Sequence, residues 1–149
     1  LLLCLGDKQA LIKSEKIYAD YKQNIVSALN YVNTAEKIEG KGYLIINAKN
    51  EIKDTIIGTI ASILSSSPEY EPGSVIVTMA YSGDKIKVSA RICGRQGRNL
   101  RELIQASLGK IEAECGGHAQ AAGCLIPKEN EKEFIASLKK QLEVELVKI

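Results

Sequence analysis

The sequence predicts an α/β domain in which a mixed β-sheet of about four strands packs with helices, in the order βαββαβα after a long leading helix. Three observations support this fold class. A helical pattern without glycine or proline runs over residues 7–39, and a hairpin whose second strand alternates strictly covers residues 75–92. Apolar runs elsewhere are separated by loops rich in turn-forming residues. The 149 residues are enough for one domain with a hydrophobic core.

The leading helix is predicted from one apolar stripe with spacings of three and four residues. A Gly-Lys-Gly sequence at residues 40–42 should end this helix, because glycine readily adopts the conformation that follows a helix. We therefore divide the chain into a connector helix, residues 1–40, and a domain, residues 41–149. The stripe consists of Tyr18, Tyr21, Ile25, Ala28, Val32 and Ala35.

The remaining elements follow from local patterns. The apolar run at residues 43–48 predicts a buried strand, and Asn50 or Asp54 should cap the next helix. Asn99 with Glu102 is typical of a capping box, and Asn130 with Glu133 should begin the last helix in the same way. The core-facing residues of the helix after Asp54 should be Ile56, Ile60, Ile63 and Leu64.

Basic residues are concentrated although the net charge is only +2. No acid interrupts the segment from Lys85 to Arg101, and the alternation of its strand places one set of side chains opposite the apolar set. Arginine matches phosphate geometry, and a helix N-terminus adds its dipole. The alternative is a solubilising surface. The exposed set is Lys85, Lys87, Ser89 and Arg91, and the phosphate-binding candidates in this segment are Arg91, Arg95, Arg98 and Asn99.

A glycine-rich stretch, GGHAQAAG at residues 116–123, contains the only histidine of the chain. Glycine is suited to positive φ and to close approach of a ligand to the backbone, so the stretch could form a phosphate cradle. The alternative is a tight helix-to-strand connection with a packed histidine. The candidate binding residues here are Gly116, Gly117, His118, Ala122 and Gly123.

The four cysteines contain no C-x-x-C pair and follow no secretory signal, which favours reduced thiols in the cytoplasm. A zinc site built from Cys93, Cys115, His118 and Cys124 is a weaker alternative, because paired ligands at short spacing are missing. The apolar run at residues 1–5 is too short to span a bilayer, and we expect no membrane partner.

The sequence GGHAQAAG resembles the GGHxxAAG signature of the DHH-associated domain. This is the C-terminal substrate-binding domain of the DHH phosphoesterase superfamily, which includes RecJ-type single-strand exonucleases and oligonucleotide phosphodiesterases. The resemblance extends to the strand Lys87–Arg91 and to the helix start at residues 97–100, and covers roughly residue 42 to the C-terminus. It implies binding of single-stranded nucleic acid through the backbone, with little sequence specificity.

The resemblance also implies that substrate binding and catalysis belong to different domains. Hydrolysis in the family needs a cluster of Asp and His that holds Mn²⁺ or Mg²⁺, and this chain has no D-H-H triplet. We therefore expect no catalytic residue, cofactor or metal in this chain alone. The leading helix stands where the family's connector would, so the catalytic domain of an intact protein is expected before Leu1.

Three functions remain open at this stage. The first is an accessory or scaffold factor of DNA replication, because some archaeal RecJ-like proteins of the family bind the GINS complex and the MCM helicase, which would place the protein at the nucleoid. The second is the substrate-binding half of an active exonuclease or phosphodiesterase. The third is a KH-like RNA-binding module, since residues 94–97 read G-x-x-G, although a KH loop joins two helices and this one should follow a strand.

Overall fold

The computed structural model describes residues 8–147, and these residues fall into two compact units that divide between Thr34 and Ala35. The first unit is the long helix α1, Lys8–Thr34. The helix ends before residue 39, where the sequence pattern placed its end, because residues 38–40 pair as a β-strand instead. The predicted first helical residue, Asp7, and the apolar run at residues 1–5 lie outside the described residues.

The second unit contains a six-stranded mixed sheet, which confirms the predicted α/β class. Its order is β1-β2-β3-β4-β6-β5, and only β2 and β3 are parallel. The prediction of about four strands omitted β1 and β5, which are the two short edge strands. The elements are β1 Ile38–Gly40, β2 Tyr43–Asn47, α2 Ile57–Ser65, β3 Val75–Ser82, β4 Lys85–Ile92, α3 Leu100–Leu108, β5 Glu114–Gly117, β6 Ala121–Pro127 and α4 Glu131–Val147.

The main hydrophobic core lies between one face of the sheet and the helices α3 and α4. Alternate residues of each strand supply it, as the period of two predicts, and Phe134 on α4 is fully buried there. The contributions of the two central strands are Val75, Val77, Met79, Ile86, Val88, Ala90 and Ile92.

Helix α2 packs on β3 and β4 from the opposite face. The Thr78 hydroxyl donates a hydrogen bond to the Ile57 carbonyl oxygen at 3.0 Å, which joins the buried strand to the first turn of the helix. Ile60 is fully buried, whereas Ile63, which the sequence placed in the core, is 38% exposed. This short helix covers β3 and β4 and leaves the face of β6 and β5 open.

The helix starts show which capping predictions hold. Asn99 caps α3 by accepting a hydrogen bond from the Glu102 N–H at 3.2 Å, as predicted. The prediction for α2 is wrong, because its N-cap is Ile56, which makes no side-chain capping bond. Asp54 instead accepts a hydrogen bond from the Ser82 hydroxyl at 2.6 Å, and so ties the α2 approach to the end of β3.

The last helix is preceded by a 3₁₀ turn, Lys128–Asn130, and Asn130 donates a side-chain hydrogen bond to Glu133 at 3.1 Å. The G-x-x-G loop at residues 94–97 joins β4 to α3 and not two helices, which excludes the KH arrangement. Within residues 8–147, no helix has the length and apolar character needed to cross a membrane.

Candidate nucleic-acid interface

An open groove of about 490 Å³ lies on the face of β4, β6 and β5 that α2 leaves uncovered. The floor follows from the strand register, because residues directly opposite one another share a face. Its middle row is Ser89, Gly123 and Gly116, three of the smallest side chains available. The backbone of β6 is therefore accessible along the centre of the groove.

The two ends of the groove differ in chemistry. At one end Arg91 lies opposite Ala121, next to the tip of the β5–β6 hairpin. At the other end the row is Lys87, Leu125 and Glu114, which combines a cation, an apolar side chain and a carboxylate. The two cationic positions, Lys87 and Arg91, are four residues apart on β4, about 13 Å at the usual rise of a strand.

Arg91 is half-buried and is held by neutral oxygens. Its Nε donates to the Ser62 Oγ at 3.1 Å, and its Nη1 donates to the Ala90 carbonyl oxygen at 2.9 Å. Burial lowers the pKa of the guanidinium, and no carboxylate of the described residues contributes to the shift. Among the residues that the structure describes, no carboxylate neutralises this positive charge in the groove. The arrangement therefore favours an anionic ligand.

Helix α2 supplies the space that Arg91 needs. A Cβ at Gly58 would lie 3.3 Å from the Arg91 Nη2 and 3.4 Å from the Ser89 Oγ. The first of these distances is shorter than an ordinary van der Waals contact. Glycine at this position therefore leaves room for the guanidinium beside the helix. Ser62, one turn further along α2, then fixes the Nε side of the fork.

The glycines of residues 116–123 have different roles. Gly117 has φ +113°, and a Cβ there would overlap the Ala121 carbonyl oxygen and the Ala122 Cα. A Cβ at Gly123 would overlap the Val88 carbonyl oxygen. Both glycines are required by the fold itself, whereas a Cβ at Gly116 would meet no atom within 4 Å and would project into open space.

The stretch is the end of a β-hairpin and not a helix-to-strand connection. Its turn closes through a hydrogen bond from the His118 N–H to the Ala121 carbonyl oxygen at 2.9 Å. Helix α3 ends at Leu108, before this stretch begins. The tip is anchored by the Leu100 N–H, which donates to the Ala119 carbonyl oxygen at 2.8 Å, and by the Gln120 side chain, which donates to the Arg95 carbonyl oxygen at 2.8 Å.

His118 is exposed at the hairpin tip, next to the groove, and does not line it. Its Nδ1 accepts a hydrogen bond from the Gln120 N–H at 3.2 Å. In the neutral ring the proton therefore resides on Nε2, which is free to donate to a ligand. The alternative of a packed histidine is wrong, because the side chain is exposed.

The comparison with protein families decides the identity of this fold. Residues 19–144 match the DHHA1 domain. The chain belongs to the DHHA1 domain family. No curated protein matches the chain.

Solved structures with the same fold include three proteins of quite different length. RecJ from Thermus thermophilus in complex with Mg²⁺ is similar with a TM-score of 0.65 and 16% identity, over 89% of this chain and 20% of that chain. The C-Ala domain of Aquifex aeolicus alanyl-tRNA synthetase is similar with a TM-score of 0.57 and 17% sequence identity, over 72% of this chain and 98% of that domain. The pGpG-specific phosphodiesterase PggH from Vibrio cholerae is similar with a TM-score of 0.56 and 16% sequence identity, over 88% of this chain and 42% of that chain. The chain thus spans a fifth of RecJ and less than half of PggH.

In this DHHA1 domain, five of the nine binding residues suggested by the sequence line the groove. His118 flanks it, and Arg95 contributes its carbonyl oxygen to the anchoring of the tip. Asn99 is engaged as the cap of α3, so its side chain has a structural partner already. Ala122 borders the groove although it is buried and belongs to the hydrophobic core. The five groove residues are Arg91, Gly116, Gly117, Ala122 and Gly123.

Arg98 is committed to a different contact. Its Nη1 donates to the Leu142 carbonyl oxygen at 3.2 Å and its Nη2 to the Gln141 carbonyl oxygen at 3.0 Å, so it joins the start of α3 to α4. Its Nε is buried. The guanidinium therefore stabilises the packing of two helices on the face opposite the groove.

The zinc alternative is not supported. Among the residues that the structure describes, no group of three or more His, Cys, Asp or Glu side chains could hold a metal ion. Cys115 and Cys124 share the core face with α3, while His118 is exposed at the hairpin tip. The described cysteines, Cys93, Cys115 and Cys124, are free thiols.

Sequence reasoning missed Glu114 and Leu125, which line the DHHA1 groove, and Ser62, which holds Arg91. Ser62 lies 29 positions before Arg91, and no local pattern connects them. Glu114 and Leu125 could have been found from the hairpin, because a register closed between His118 and Ala121 makes them direct partners. The missed signal was the strand character of residues 114–117, which glycine obscures.

Proposed function

We propose that this DHHA1 domain binds single-stranded nucleic acid, with a phosphate seated between Arg91 and the exposed backbone of the hairpin. The observation that carries the proposal is the half-buried Arg91, which is fixed by Ser62 and lacks a described counter-ion, at the end of a glycine-floored groove. Charge-assisted bidentate hydrogen bonds to a phosphate oxygen are what such a guanidinium can offer.

The groove supports recognition of the backbone more than of bases. Its centre carries no aromatic side chain on which a base could stack, and the two cations that flank the centre are spaced along one strand. Lys87 would contact a second phosphate of an extended strand, and Leu125 would pack against a sugar or base between the two. Affinity should therefore depend strongly on salt and weakly on sequence.

The experiment compares Arg91→Ala with Lys139→Ala, which removes the same charge from an exposed site on α4. Fluorescence anisotropy with a labelled oligo-dT of ~15 nucleotides should show about a tenfold loss for Arg91→Ala, with the slope of log K against log salt reduced by about 0.7. Lys139→Ala should leave both nearly unchanged. Equal losses in the two variants would refute a site at Arg91 and leave only non-specific attraction.

DNA and RNA are compared in the same assay. The resemblance of the GGH motif to RecJ-type single-strand exonucleases favours single-stranded DNA as the ligand. The likeness to a domain of alanyl-tRNA synthetase, whose length this chain covers almost fully, makes RNA the second candidate. The matched oligonucleotide oligo-U, at the same length and salt, distinguishes them. Tighter binding of oligo-dT is expected, and a reversal would assign the groove to RNA.

We further propose that the protein is an accessory or scaffold factor at the replication fork, in contact with GINS and the MCM helicase and located at the nucleoid. The support is the resemblance of its GGH motif to RecJ-like proteins that have this role. The chain should co-elute with GINS from a matched source at micromolar concentration in gel filtration. Separate elution would favour instead the substrate-binding half of a phosphodiesterase whose metal ions, Mn²⁺ or Mg²⁺, lie in another domain.

We propose that this chain does not hydrolyse nucleic acid by itself. Two-metal phosphodiester hydrolysis requires a cluster of carboxylates and histidines, and the described residues contain no such group. Incubation with a labelled oligonucleotide and Mn²⁺ should give no product. Cleavage that disappears in the Arg91→Ala variant would contradict this proposal, because it would assign the activity to this chain and not to a contaminant.

A further inference from the structure

Cys115 and Cys124 are direct partners in the β5–β6 hairpin. Both residues border the groove, but they belong to the alternate set that faces the core, where Cys124 is part of the core beneath α3 and Cys115 packs against its edge. Neither thiol takes part in the proposed binding of nucleic acid. Both are free thiols.

The type of the pair follows from the hydrogen bond that closes the hairpin. His118 donates to Ala121, which makes residues 118 and 121 a hydrogen-bonded pair. Hydrogen-bonded and non-hydrogen-bonded pairs alternate along an antiparallel ladder. Counting back through the register, residues 117 and 122 form a non-hydrogen-bonded pair, 116 and 123 a hydrogen-bonded pair, and Cys115 and Cys124 a non-hydrogen-bonded pair.

Non-hydrogen-bonded pairs bring the two side chains closest together. Their Cα atoms are about 4.5 Å apart, which lies inside the range of roughly 4.4–6.8 Å found across disulfides. A bond between the two sulfurs therefore requires rotation of side chains and no separation of strands. Burial raises the pKa of Cys124, and the nearby Cys115 raises it further, to about 12.

The two thiols differ in exposure, which orders the chemistry. Cys124 is 6% exposed and remains a protonated thiol at neutral pH, while Cys115 is only partly buried at the hairpin edge. An oxidant in solution reaches Cys115 first. The adjacent Cys124 is then placed to react with the oxidised sulfur.

We propose that Cys115 and Cys124 form a reversible cross-strand disulfide on exposure to a peroxide. Hydrogen peroxide oxidises the Cys115 thiol to a sulfenic acid and is itself reduced to water. The Cys124 sulfur then attacks the sulfenic sulfur, the S–S bond forms, and the hydroxyl leaves as a second water with the proton of Cys124. A dithiol reductant restores both thiols by two exchange steps.

The test is peptide mapping after treatment of the reduced protein with hydrogen peroxide. Trypsin should release residues 111–128 as one peptide that carries both cysteines, whereas Cys93 falls in a separate peptide, residues 92–95. The 111–128 peptide should lose about 2 Da, the mass of the two hydrogen atoms removed when a disulfide forms, and dithiothreitol should restore the mass. The oxidised protein should also melt several degrees higher than the reduced protein, because the bond closes a short loop.

Two variants serve as controls. Cys93→Ser should keep the mass loss, since Cys93 is not a partner of either residue, and Cys115→Ser should abolish both the mass loss and the rise in Tm. A gain of two oxygen atoms on Cys115 without mass loss, or a disulfide that joins either residue to Cys93, would overturn the proposal. The measurement uses no nucleic acid, so its outcome does not depend on the proposed binding function.

Discussion

The two faces of the β4–β6–β5 region contrast sharply although the same strands build both. On one face, valine, isoleucine and alanine side chains pack beneath α3 and α4 and are almost fully buried. On the other face, the same strands present cations, a serine and glycines to an open groove. The alternation of a strand thus assigns stability to one face and ligand binding to the other, so that residues of one type can have opposite roles.

The largest expected effect separates the two neighbouring glycines. Gly117→Val should lower the Tm by about 10 °C or more, because a β-branched residue resists positive φ and its Cβ would overlap the backbone of residues 121–122. Gly116→Val should leave the Tm nearly unchanged, since its Cβ meets no atom, and should instead reduce oligonucleotide binding by filling the groove. Circular dichroism and anisotropy on both variants test this contrast, and similar melting temperatures would disprove it.

A smaller difference should separate Arg98 from Arg91. Arg98→Ala removes two hydrogen bonds to α4 carbonyl oxygens and should lower stability by about 2 kcal/mol, with a change of the Tm of roughly 8 °C. Its effect on the salt dependence of binding should be minor, because the side chain faces α4. Thermal melting and salt titration of the variant measure the two quantities. A reduced salt slope with an unchanged Tm would place Arg98 in the binding site after all.

Ser62→Ala sharpens the role of α2 in the groove. Loss of the hydrogen bond to the Arg91 Nε should weaken oligonucleotide binding by about threefold, because the guanidinium is less well positioned while its charge remains. The salt slope should therefore match that of the wild type. As a matched control, Ser65→Ala removes a hydroxyl that bonds only within α2, to the Ser62 carbonyl oxygen, and should bind normally.

The smallest effect concerns Glu114, the one carboxylate among the groove residues. Glu114→Gln should strengthen oligonucleotide binding by about twofold at low salt, because a negative charge near phosphates is removed, and the gain should vanish at high salt. Glu112→Gln, an exposed neighbour outside the groove, is the control. Weaker binding of Glu114→Gln would mean instead that the carboxylate accepts hydrogen bonds from the ligand.

Much of the fold could be predicted from local patterns. The alternation of residues 85–92 correctly separated Lys87, Ser89 and Arg91 from the apolar set, since period two is a property of every strand. The cap at Asn99 was also predictable from the local sequence, because its hydrogen bond to Glu102 lies within four residues. The edge strand at residues 114–117 was missed, because its glycines carry no alternating signal and only pairing with β6 makes it a strand.

The sequence by itself determined the fold class, the face on which the groove lies and the GGH motif by which the chain resembles the family, because each depends on residues near one another in the chain. The tertiary structure alone decided which arginine is available to a ligand, since Arg91 meets Ser62 of α2 and Arg98 meets the carbonyl oxygens of α4. It also decided which glycine is replaceable and which cysteines are partners. These properties depend on groups brought together by packing and strand register, which the local sequence patterns did not reveal.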